Sequence, residues 1–317
     1  MPFIIHQPEK SVRRLAFLSL GLLFAGAAYA ETISTTVLYP AGSDEAAALR
    51  SIQIEPFGGD AGADLTVQIE DSLRQAEDGT GRYFQIIPAA TGRGGEALLR
   101  GSAQTEVRYS DYSEEHDRCI KDAKGACTAA REKVMVRCTK RQVELVVALR
   151  LIATDGTLLW SDNRPENYQD NYCEDAETSP KSRNAIAREL NGRVAVRIRQ
   201  DFVPRIAVEN IRVDENRKGL SKVDSEAFKQ AVKLTKSDVK RACKIWLDLA
   251  DRNRGHAPSQ FNTGLCWEAA PDTGDNADLY YTRALAANPR HSAALRGKDR
   301  LAAAKRALVQ AERHQRP

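Results

Sequence analysis

Residues 133–173, KVMVRCTKRQVELVVALRLIATDGTLLWSDNRPENYQDNYC, decide how this chain is read. Val143, Leu145, Val147, Leu149 and Leu151 alternate with polar or small residues, the period-two pattern of a half-buried strand. After Asp155-Gly156 a second β-rich run, Thr157-Leu158-Leu159-Trp160, begins. A two-residue Asp-Gly turn suits a hairpin because its central residues need positive φ, which Gly adopts freely and Asp tolerates. With that turn, opposed residues have numbers summing to 311, so Trp160 faces Leu151 and Cys173 faces Cys138. A Cys138–Cys173 disulfide across the two strands would pin the register.

Working outward, a strand at Ser51–Pro56 leads through Gly58-Gly59-Asp60 into a helix with Leu65, Ile69 and Leu73 at four-residue steps. That helix ends at Gly79 and Gly81, where a second strand, Tyr83–Ile87, begins and runs to Pro88. A third starts at Ala97 and runs toward Val107. Lys181 to Phe202 is a helix with Ile186, Leu190, Val194 and Ile198 on one stripe. Strand, helix, strand, hairpin and covering helix describe an α/β sandwich with a mixed sheet over residues 48–203. Between the third strand and the hairpin, residues 108–131 are polar and charged, and read as an insertion or extended loop closed by a short Cys119–Cys127 disulfide. His116, Asp117 and Cys119 match no standard zinc spacing, so the segment is read as a solvated loop and no metal is assigned.

The runs IQIEPF, YFQIIP, LLRGSAQ and VVALRLIATDGTLLWS, in that order, resemble the domain shared by the curli-assembly secretion-channel family and related envelope lipoproteins, including the peptidoglycan-synthase activators. The resemblance covers about residues 48–203 and implies fold more than function. Two departures argue against a transmembrane pore. The chain lacks the lipid-bearing cysteine of those lipoproteins, and Arg131 to Arg150 carries too many charges for lipid-facing strands.

The chain opens with Lys10, Arg13 and Arg14, an apolar run from Leu15 to Ala25, and Ala28-Tyr29-Ala30, the pattern of an export signal cleaved near Ala30. Residues 31–47 form a short extension before the α/β domain. No later run is long and apolar enough for a transmembrane helix, and no cysteine follows the signal as a lipid anchor. The signal carries three bases and one acid, so the whole-chain charge of +4 leaves about +2, which gives no reason to expect a nucleic-acid partner. Six cysteines, all beyond residue 30, suit the periplasm or another oxidising compartment and suggest three disulfides.

Residues 204–224 read as a linker containing a strand, Arg205–Val213. Residues 225–317 then alternate helix and turn. Phe228, Ala231 and Leu234 mark one helix, and Val239, Ala242, Trp246 and Leu249 the next. Ser259–Ala269 and Ala277–Ala287 follow, separated by Pro271-Asp272-Thr273-Gly274-Asp275. This second pair resembles a tetratricopeptide repeat: Gly264 takes the small place, Trp267 the aromatic place, and Ala277, Tyr281, Ala284 and Pro289 keep the second helix and its stop. The first pair is a degenerate version. Cys243 and Cys266, on neighbouring helices of such a stack, are expected to bond. Lys229, Lys233 and Asn262 are the candidate groove residues on first helices. From Arg290 onward, eight Lys/Arg against two Asp/Glu accompany a stripe of Leu295, Leu301, Leu308 and Val309, read as a basic capping helix that covers the last apolar face.

No phosphate loop, Gly-x-Ser-x-Gly, His-Glu-x-x-His or reactive Cys/His pairing occurs, and only four histidines lie beyond residue 30. No catalytic residue or cofactor is assigned. The expectation is an α+β protein in which an α/β sandwich with a long hairpin precedes an all-α repeat domain. As a function, the sequence supports an exported, non-enzymatic envelope adaptor that holds a protein or peptide in the repeat groove. The competing readings are an oligomeric secretion-channel component, to which membrane association and self-assembly belong, and a hydrolase of cell-wall or sugar substrates.

Overall fold

The computed structural model describes residues 31–77, 81–88, 94–270 and 274–315. The expected export signal, Gly79, residues 91–93 and the 271–273 part of the inter-helix loop lie outside them. The described elements are β1 (Thr32–Tyr39), α1 (Asp44–Ala47), β2 (Ser51–Ile54), α2 (Gly62–Arg74), β3 (Gln85–Pro88), β4 (Ala97–Lys121), β5 (Cys127–Ala153), β6 (Leu158–Asp162), β7 (Glu166–Cys173), α3 (Arg183–Phe202), β8 (Arg205–Arg212), α4 (Lys222–Leu234), α5 (Val239–Arg252), α6 (Ala257–Glu268), α7 (Gly274–Ala287) and α8 (Ser292–Gln315).

The main sheet is mixed, as expected. Its order is β3-β2-β4-β5-β6, with β2 parallel to both neighbours and β5 antiparallel to β4, β6 and β7. One face is covered by α2 and α3, whose Leu65, Ile69, Leu73, Ile186, Leu190, Val194 and Ile198 pack on Ile52, Ile54, Leu99, Leu145, Val147 and Leu149. Val146 and Arg150 point to the opposite, solvated face, so the unit has two layers. Ser182 caps α3 by accepting the Ala185 N–H, which explains why the helix starts at Arg183 rather than Lys181.

Two features of the hairpin differ from expectation. The turn holds three residues, not two: Ala153 and Thr157 close it, with Gly156 at φ 90° and the Asp155 carboxylate accepting the Thr157 N–H. A register shift between Leu151 and Ile152 then restores the expected pairing, so that Leu151 faces Trp160 and Cys138 faces Cys173. The returning arm is also two strands rather than one, because Pro165 has no N–H to give the ladder and interrupts it between β6 and β7.

Residues 108–131 are not a loop. They carry β4 and β5 on past the sheet in one antiparallel ladder from Ala97–Ala153 to Cys119–Arg131, closed at Asp122, whose carboxylate accepts the N–H groups of Lys124 and Ala126. The ladder is an arm: β7 joins it as a third strand only as far as Cys138, and beyond that point two exposed strands continue. Paired backbones hold the polar residues here in strand form without a covering layer. A two-stranded ribbon is marginal in water; this one is braced by Cys119–Cys127 near its tip and by Cys138–Cys173 at its base.

The segments read as extension and linker are partners. β1 and β8 form a separate antiparallel ribbon, from Thr32–Arg212 to Tyr39–Arg205. Its Ile33 belongs to the second core, which is built mainly by α4 to α8 around Phe228, Trp246, Phe261, Leu265 and Tyr281. Each of these helices packs on the next in chain order. No helix among the described residues is long and apolar enough to cross a membrane. The three disulfides fit an exported protein in an oxidising compartment.

Candidate interaction surface

The three cysteine pairs join as the sequence suggests, Cys119 to Cys127, Cys138 to Cys173 and Cys243 to Cys266. The residues singled out in the second helix pair have packing roles. Tyr281 is fully buried, and the backbones of Gly264 and Gly297 lie against its ring, where a Cβ would come within 2.7 Å and 2.5 Å of ring carbons. Ala277 and Ala284 are fully buried on the same helix. The Tyr281 hydroxyl donates to Glu268, which also takes two bonds, 2.6 and 2.7 Å, from the Arg300 guanidinium. Burial, and then the nearby Glu268 carboxylate, push the Tyr281 hydroxyl pKa up. Pro289 is exposed just past α7 and acts only as its stop.

Of the three groove candidates, Lys229 and Lys233 are exposed on α4, whereas Asn262 is not on a surface. It is fully buried, and its amide takes both polar groups of the Asp214 backbone: the Asp214 N–H donates to Oδ1 and Nδ2 donates to the Asp214 carbonyl, each at 2.8 Å. An isolated Asn on an apolar helix gives no sign of a partner 48 residues away. Its assignment to the groove is therefore corrected to a clamp that fixes the chain entering α4.

A concave apolar surface does exist on this unit, one helix further on. Val239, Cys243 and Leu247 of α5 recur at four-residue steps and face Thr263, Cys266 and Trp267 of α6 across a groove of about 510 Å³. The Cys243–Cys266 disulfide spans it. Lys240 and Lys244 stand on its border, exposed and in no ion pair among the described residues. Apolar walls suit a branched or aromatic side chain, and the two ammonium groups suit a carboxylate. The periodicity of α5 carries this stripe, but the same stripe reads equally well as buried core, so sequence alone does not reveal the groove.

A second polar cluster, unforeseen, lies around Asp214. His291 Nε2 donates to the Asp214 carboxylate at 3.0 Å and its Nδ1 accepts the Ala294 N–H. His256 caps α6, its Nδ1 accepting the Ser259 N–H. Burial works to raise the Asp214 pKa, but the bonds from His291 and the Asn216 N–H hold it below the ordinary value; burial lowers that of His256. The Nδ1 atoms of His291 and His256 thus cap the starts of α8 and α6, and the Nε2 of His291 ties α8 to the segment that precedes α4.

No protein-family model matches the chain, and no curated protein matches it significantly. Among solved structures, a PelC dodecamer from Paraburkholderia phytofirmans is 14% identical, with 52% of this chain and 97% of that one covered at a TM-score of 0.23. A neuraminyllactose-binding hemagglutinin homolog from Helicobacter pylori is 12% identical over 50% of this chain and 83% of that one, at 0.24. At such scores these likenesses carry no argument.

Proposed function

We propose that this chain is an exported, non-enzymatic adaptor or assembly factor of the cell envelope, and that its helical unit is a short tetratricopeptide-like array holding a protein partner. The observation that carries the reading is the apolar groove between α5 and α6, with Lys240 and Lys244 on its border. A groove of this size and lining accepts one or two apolar side chains, and the lysines favour a partner segment bearing acidic residues beside them. The helices supply a rigid frame, and the disulfide keeps the walls at fixed spacing.

The test uses the mature chain, residues 31–317, folded under oxidising conditions, with a photo-crosslinking residue at Leu247. Crosslinking to one envelope protein, lost in Lys240→Glu/Lys244→Glu, supports the reading; capture unchanged by the charge reversal overturns it. The oligomeric secretion-channel reading draws on a different observation, the two-stranded β4–β5 arm that leaves the sheet without a covering layer. A discrete high-mass ring in native mass measurements, lost when residues 114–135 are replaced by a short turn, would favour it over the soluble adaptor.

A further inference from the structure

At the base of the β4–β5 arm, Glu114, His116, Cys138 and Cys173 each place a ligand-type atom within 4.8 Å of the others. The ladder explains why. Tyr112 is opposite Cys138 and Cys138 is opposite Cys173, so the two-residue period puts Tyr112, Glu114 and His116 on the face that carries both sulfurs. Cys138 is fully buried, while Cys173 and His116 border a cleft of about 440 Å³ that also includes Tyr172, Asp175 and Ser179.

The histidine is oriented. Its Nδ1 lies 2.8 Å from the Asp175 carboxylate, and its Nε2 faces Cys173 Sγ at 3.9 Å. In the neutral ring the Nδ1–H then points to Asp175, and the Nε2 lone pair points to the sulfurs. This carboxylate–histidine arrangement is the one that supports metal-bound imidazoles. A disulfide needs no such neighbour. His116 groups with Glu114 of its own strand, Cys138 of β5 and Cys173 of β7.

We propose that reduction of the Cys138–Cys173 disulfide converts this cluster into a Cys₂HisGlu site for a borderline divalent cation such as zinc(II). A dithiol reductant gives two electrons and two protons to the S–S bond and becomes a cyclic disulfide, leaving two thiols. The cation then displaces both thiol protons, taking two thiolates, the His116 Nε2 and a Glu114 carboxylate oxygen. Two soft sulfurs, one imidazole and one carboxylate in a compact set match tetrahedral zinc chemistry. In the oxidised protein neither sulfur is a thiolate, so the site is closed and the disulfide is a brace.

The experiment titrates cobalt(II) and zinc(II) into the full mature chain, oxidised and after dithiol reduction with the reductant removed under argon. The reduced chain is expected to bind one equivalent with the visible bands of tetrahedral cobalt(II) and a sulfur-to-metal charge-transfer band; the oxidised chain is expected to show neither. His116→Ala and Glu114→Gln leave all three disulfides able to form, so they report even if Cys138→Ala/Cys173→Ala fails to fold. Asp175→Asn is expected to weaken binding by about 10- to 100-fold. Absence of binding by the reduced parent would overturn the proposal, and so would binding by His116→Ala as tight as the parent's, which would assign the cation to the other cysteines.

Discussion

His314, in the last turn of α8, stacks on Tyr83 of the α/β core, with ring centroids 3.9 Å apart and planes 14° from parallel. One turn earlier, Gln310 takes both backbone groups of Ala41: the Ala41 N–H donates to Oε1 at 2.8 Å and Nε2 donates to the Ala41 carbonyl at 3.1 Å. The final helix is thus fastened to the first core as well as to the second. His314→Ala is expected to cost about 1 kcal/mol, the worth of an aromatic pair. Gln310→Ala should cost about 2 kcal/mol because it strands two buried backbone groups. Calorimetry checks the consequence: one transition in the parent, two in the double variant, whereas His314→Phe keeps one.

Gly264→Ala and Gly297→Ala each add a methyl group against the Tyr281 ring. Helix propensity favours Ala by about 1 kcal/mol, but the ring is held from two sides and by Glu268, so overpacking of about 1–3 kcal/mol outweighs it. Urea unfolding should show both variants destabilised. Greater stability in either would mean that the ring moves aside.

Asp162 has no exposed side-chain surface and is bonded by Arg164 and Arg197. Burial pushes its pKa up, but those guanidinium bonds outweigh burial and the net shift is down. A lowered folded pKa gives stability that is present above the unfolded value near about 3.9 and lost as pH falls below it. Arg197→Ala should cost about 3 kcal/mol at neutral pH by leaving a buried charge half-paired. The same variant should show a weaker loss of thermal stability between about pH 5 and pH 3, which melting curves across that range measure.

His256 sets the response at milder acidity. Burial lowers its folded pKa, with the Asp214 carboxylate opposing. The unfolded chain therefore takes up this proton first, and the contribution, complete above about pH 6.5, is lost as pH falls through and below that value. His256→Asn keeps a capping acceptor. It should melt at more nearly equal temperatures at about pH 7.5 and pH 5.5 than the parent does; an unchanged difference would assign the effect to another group.

What was legible in the sequence was local or fixed by a local rule. The alternation Val143 to Leu151 and the stripe Ile186 to Ile198 each specify one buried face, and both are buried as read. The Cys138–Cys173 pairing was legible because a register propagates from its turn; it survived because the wider turn and the shift at Leu151 offset each other. The arm was not legible, since Tyr109 to Arg131 has no apolar face and strand form there comes from cross-strand pairing alone. Asn262 and His291 gave no signal because their shared partner, Asp214, is set by tertiary packing. The α5–α6 groove was hidden because an apolar helical stripe does not state whether anything covers it.

Tyr39, at the end of β1, lies directly opposite Arg205, at the start of β8. The chain therefore leaves the ribbon and returns to it at the same place, with the whole α/β sandwich in between. In architectural terms the sandwich is a cassette set into the bend of a hairpin that belongs to the helical unit. A chain in which a short turn replaces residues 40–204 would keep β1 and β8 in register and retain the helical stack, whereas cutting at residue 204 would remove a strand from it.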